Sequence, residues 1–97
     1  MFWHVLMFRW FDNVGSDQIE EVLENFRQLQ GRIPGLLEVS SGANQSTRSQ
    51  GYTHGAVLRF TDAAALQAYG NHPAHAALLE KLRLSMAQVA VLDYEAP

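Results

Sequence analysis

The chain has 97 residues, 47% hydrophobic and 18% charged, with a formal net charge of -3 and no cysteine. This length fits one folded domain, residues 1–97, and the absence of cysteine excludes disulfides and thiolate metal sites. The seven Lys and Arg are scattered, so the basic footprint of a nucleic-acid binder is missing, and no apolar run is long enough to span a bilayer.

The N-terminal stretch Met1-Phe2-Trp3-His4-Val5 lacks the basic start and small-residue cleavage site of a signal peptide, so a cytoplasmic location is expected. Phe2 to Phe11 reads as a strand, rich in aromatic and branched residues. One parity holds Phe2, His4, Leu6, Phe8 and Trp10, and the other holds Trp3, Val5, Met7 and Arg9. Both faces are therefore largely apolar. A polar turn, Asp12 to Gly15, precedes a helix starting at Ser16 or Asp17, with Asp17 and Glu20 spaced as a capping box. Ile19, Val22, Leu23, Phe26 and Leu29 recur at helical spacing, and Ile33-Pro34-Gly35 ends the helix.

Leu36 to Ser41 reads as a short second strand, Gly42 to Gly51 as a polar surface loop, and Tyr52 to Phe60 as a third strand. In that third strand His54, Ala56, Leu58 and Phe60 share one parity. Asp62 is placed to cap a short helix that Gly70-Asn71 breaks after Tyr69. Pro73 suits the first position of a third helix, which should turn Leu78, Leu79, Leu82 and Met86 inward. Val89 to Tyr94 reads as the last strand.

The order is that of an α+β, ferredoxin-like split β-α-β domain with its helices on one sheet face. The other face is also apolar, so a second copy laid sheet to sheet is expected: a homodimer forming a dimeric α+β barrel.

Within this frame, Gly51-Tyr52-Thr53-His54, Leu66-Gln67-Ala68-Tyr69, His72-Pro73-Ala74-His75 and Asp93-Tyr94-Glu95 resemble the stress-responsive A/B barrel (Dabb) family, with His4 and Ile33-Pro34-Gly35 in support. The resemblance covers essentially the whole chain and implies a dimeric ferredoxin-like barrel. The family includes a plant polyketide cyclase that closes a linear poly-β-keto thioester by aldol condensation. Tyr69 and His75 resemble its catalytic pair, with His75 as base and Tyr69 as hydrogen-bond donor to the developing oxyanion. The resemblance also implies a substrate pocket with His4, His54 and His72 and an apolar wall near Leu23, Phe26, Ala56, Met86, Val89 and Val91. The ligand would be an apolar or polyketide-like small molecule.

All four histidines fall at these motif positions, and each has a plain structural alternative. His72 fits a helix cap, His4 and His54 fit core residues bonded to each other or to backbone, and Tyr69 fits a core aromatic with its hydroxyl on a carbonyl. Arg9 and Arg59 fit either an anion site or strand ends that snorkel to water. No Asp or Glu falls in the histidine motif and Pro73 disturbs its spacing, so no metal is expected, and aldol-type closure needs no organic cofactor. Two functions remain open here: a cofactor-independent cyclase or lyase, and a non-catalytic dimeric stress-responsive or small-ligand-binding protein. An open tunnel reaching both Tyr69 and His75 favours the first, and a core filled by Phe8, Trp10, Phe26 and Phe60 favours the second.

Overall fold

The computed structural model describes residues 1–97. Its elements in chain order are β1 (Phe2–Trp10), α1 (Ser16–Arg27), β2 (Leu36–Ala43), β3 (His54–Phe60), α2 (Ala63–Gly70), α3 (Pro73–Arg83) and β4 (Met86–Glu95). The strands form one antiparallel sheet in the order β2-β3-β1-β4. This is the expected ferredoxin-like α+β arrangement.

Alternation along the strands divides the sheet into two faces. On one face Leu6 and Phe8 of β1 and Ala56, Leu58 and Phe60 of β3 are buried. Val22, Leu23 and Phe26 of α1 complete this core, the Phe26 ring lying 5.4 Å from that of Phe8, while Tyr69 of α2 stacks 5.7 Å from Phe60. The helices therefore all cover one face. The opposite face presents Trp3, Val5 and Met7 of β1 beside Tyr94, Leu92 and Ala90 of β4. Nothing in the chain covers it: Met7, Leu92 and Tyr94 are 42%, 58% and 45% exposed. Contiguous apolar surface of this kind is the mark of an interaction face.

Local chemistry explains where the elements depart from expectation. α1 begins after Gly15 with no side-chain cap. Asp17 is instead inside the first turn, where its charge complements the helix N-terminus, and Glu20 accepts from Arg27 at 2.7 Å rather than closing a capping box. The helix ends at Arg27, well before Ile33, because tighter i→i−3 bonds take over, such as Gln30 N to Arg27 O, and Gly31 adopts φ +85°. Leu29 and Ile33 stay buried in this irregular segment.

β2 runs on to Ala43 because Gly42 and Ala43 pair with Gly55 and His54. β3 starts later than Tyr52, whose ring instead lies 4.6 Å beneath the Arg9 guanidinium. Met86 belongs to β4, not to the third helix, pairing with Trp10 beyond a bulge that leaves Ala87 of β4 without a partner. Gly35 is required where it stands: its φ is +81° and a Cβ there would lie 2.6 Å from Ala65 Cβ, so β2 approaches α2 more closely than any side chain permits.

Both arginines are held by neighbouring groups at the sheet. Arg9 donates to Gln88 Oε1 at 3.0 Å and to the Gln50 carbonyl, tying the β2–β3 loop to the sheet. Arg59 pairs with Glu38 at 3.6 Å and lies over Trp3. No helix is long and apolar enough to cross a membrane.

Candidate active site

A cleft of about 180 Å³ opens between the helix layer and the β1–β4 side of the sheet. β1 contributes His4, Leu6 and Phe8, β4 contributes Met86, Val89 and Val91, and α1 contributes Phe26. Tyr69 comes from the end of α2, and His75, Leu78, Leu79 and Leu82 come from α3. The walls are apolar apart from two imidazoles and one phenol. Ligand sites share this composition: apolar walls with a few convergent polar groups.

The turn between α2 and α3 makes the Tyr69–His75 encounter. Gly70 closes α2, His72 is extended at φ -80°, ψ 142°, and Pro73 starts α3. The Tyr69 and His75 rings then meet edge to face with centroids 4.7 Å apart. Tyr69 is only 3% exposed. Burial pushes its phenol up to about 12, with no hydrogen bond to offset it, so the hydroxyl stays protonated as a donor and is not spent on a backbone carbonyl. Burial lowers the His75 pKa, a backbone hydrogen bond at Gly70 works against this, and the charge of His4 lowers it further. His75 is thus held in its neutral form, the form that accepts a proton at neutral pH.

His4 faces the same cleft, and its Nδ1 bonds Asp93 Oδ1 on β4. The two residues are register partners across the β1–β4 ladder. The expectation of a histidine motif without a carboxylate is therefore overturned. Asp93 shares the parity of Val89 and Val91, but only the pairing of the first and last strands puts it beside His4. Leu6 and Phe8 were legible as neighbours of His4 in phase along one strand. Leu78 and Leu82 of α3 were legible as inward too, although neither had been assigned to a site, whereas Leu79, also expected inward, is 47% exposed.

The structure does not bring His54, His72, Leu23 or Ala56 to this cleft. His54 Nδ1 accepts from Trp10 Nε1 at 3.0 Å and lies 2.8 Å from Thr53 Oγ1, at the far end of the sheet. It does not bond His4, which pairs with Leu58 four residues along β3. His72 is the N-cap of α3, with Nδ1 accepting from Ala74 N at 3.0 Å. Leu23 and Ala56 are 2% exposed and packed in the core. The sequence-expected residues that do converge are His4, Tyr69, His75, Phe26, Met86, Val89 and Val91.

Comparison with known proteins agrees with the fold. Over 93 residues the chain is 27% identical to olivetolic acid cyclase of Cannabis sativa, covering 94% of this chain and 92% of that protein. The solved structure of At3g17210 from Arabidopsis thaliana superposes with a TM-score of 0.92 at 29% identity, over 100% of this chain and 96% of the other. A dimeric ferredoxin-like protein of unknown function from Jannaschia sp. CCS1 superposes with a TM-score of 0.85 at 31% identity, over 98% of both chains. The pattern of the stress-responsive A/B barrel domain, Dabb, matches residues 2–96, and the chain belongs to that family.

Proposed function

We propose that this chain is one protomer of a homodimeric, cofactor-independent cyclase or lyase that removes a proton beside a carbonyl of a poly-carbonyl substrate. The observation that carries this reading is the meeting of Tyr69 and His75 in one apolar cleft. Neutral His75 takes the proton. The Tyr69 hydroxyl donates to the carbonyl oxygen as negative charge develops there, a stabilisation strengthened by the apolar walls. Phe26, Met86, Val89 and Val91 would hold the apolar part of the substrate. The similarity to olivetolic acid cyclase supports a poly-β-keto thioester as the substrate class.

The dimer in this reading uses the uncovered face of Trp3, Val5, Met7, Leu92 and Tyr94. Light scattering after size exclusion at micromolar concentration should give twice the chain mass, and a stable monomer would end the dimer claim. Activity is tested with a panel of linear poly-β-keto thioesters, following consumption and ring closure. Turnover lost in both His75→Ala and Tyr69→Phe supports the assignment, and full turnover in His75→Ala removes it.

A second reading has its own observation. The cleft, at about 180 Å³, is smaller than the ~300–1,000 Å³ usual for small-molecule sites. A dimeric protein that holds a small apolar ligand without transforming it would suit that volume. Binding without turnover across the panel would favour it.

A further inference from the structure

Asp93 has no part in the chemistry described so far, yet it is the one carboxylate bonded to an imidazole of the cleft. A carboxylate has no proton to give, so in this hydrogen bond the proton is carried by His4 Nδ1. The bond consumes Nδ1 and leaves Nε2 as the ring nitrogen free to meet a ligand. His54, on the neighbouring strand, is arranged the opposite way. Its Nδ1 receives the Trp10 indole N–H, so a neutral His54 carries its proton on Nε2. The fold therefore sets the tautomers of two strand histidines differently, and only the one with a carboxylate opens into the cleft.

We infer that His4 is a second proton-transfer residue of the cleft and that Asp93 is its positioning residue, fixing the Nδ1–H form so that Nε2 exchanges a proton with substrate. The inference rests on the reading of His75 as base and assigns the step which that reading leaves open. When His75 takes the proton from carbon, the electron pair left behind forms the new carbon–carbon bond to the acceptor carbonyl carbon. The π electrons of that carbonyl move to its oxygen, which needs a proton. The step uses the form of His4 that carries a second proton on Nε2, with Asp93 on Nδ1: it gives the Nε2 proton and returns to the Nδ1–H form. His75 ends with one proton more and His4 with one fewer, so a proton passed back between them through solvent restores the site with no other reactant. Asp93 supplies a counter-ion to this partly buried imidazole from the adjacent strand.

Two measurements on the intact dimer test this. Nitrogen-15 labelled histidine NMR at roughly pH 8, where an ordinary imidazole is neutral, should show His4 with Nδ1 protonated and Nε2 bare. Asp93→Ala should move the proton to Nε2, while Asp93→Asn, which keeps an acceptor oxygen, should leave it on Nδ1. His4 protonated on Nε2 in the parent protein, or unaffected by Asp93→Ala, overturns the positioning role. In the thioester assay, His4→Gln and Asp93→Ala should each lower kcat by about a hundredfold with KM little changed, and the double variant should be no slower than His4→Gln alone. Full kcat in His4→Gln together with its loss in His75→Ala overturns this inference and leaves the base assignment standing. The reverse pattern overturns the base assignment instead.

Discussion

The two ends of the sheet treat histidine in opposite ways. At one end His4 and His75 face an apolar cleft, one bonded to Asp93 and the other against the Tyr69 ring. At the other end His54 is held by Trp10, which donates to its Nδ1 and packs edge to face at 5.8 Å. His4 and His54 occupy the same face of neighbouring strands, in phase with apolar residues. Their difference lies in the neighbours that reach them: an acceptor from β4 for one, a donor from Trp10 on β1 for the other. Residue type and strand parity therefore mark a histidine as facing the helices, and the partner across the sheet decides which ring nitrogen carries its proton.

The sharpest way to break this contrast is at His75. His75→Ala should lower turnover by about 10²–10⁴ if it is the general base, measured as kcat/KM on any poly-β-keto thioester the protein converts. Tyr69→Phe removes one hydroxyl from a ring that stays packed against Phe60. It should cost about 10²–10³ in kcat, with the thermal midpoint nearly unchanged.

Substitutions at the other end should act on stability instead. His54→Ala strips the acceptor from the part-buried Trp10 N–H and should destabilise by roughly 1–3 kcal/mol in urea unfolding, with turnover preserved. A large turnover loss there would erase the distinction between the two ends. His72→Ala removes the cap of α3 and should cost about 1 kcal/mol by the same measurement, again without a change in chemistry.

The smallest effect concerns pH. Burial lowers the pKa of both His54 and His75 in the folded chain, with Glu20 opposing the shift at His54. The folded state binds fewer protons than the unfolded state in that range. The stability they contribute is therefore complete above the unfolded value of about 6.5 and is lost as pH falls through the lower folded values. Thermal melts between neutral and mildly acid pH should show this decline, and His54→Gln should flatten part of it. A decline untouched by His54→Gln would mean that His54 makes no contribution to it.

The apolar residues on both parities of β1 already implied a sheet with two apolar faces, and the cap Asp62 and the first-turn Pro73 placed α2 and α3, because these signals are local: they depend on side-chain direction and on backbone groups within a turn. The same locality made Tyr69 and His75 readable as a pair, since only a short turn separates them. Local pattern misjudged the limits of α1 and β4. Leu29, Ile33 and Met86 keep apolar spacing in both strand and irregular segments, so spacing alone could not show where the helix gave way. Tertiary structure alone decided that Asp93, 89 residues from His4 in the chain, would be its partner. It also decided that Trp10 would occupy His54. Each depends on strand order and register, and register is fixed by the packing of whole faces against one another.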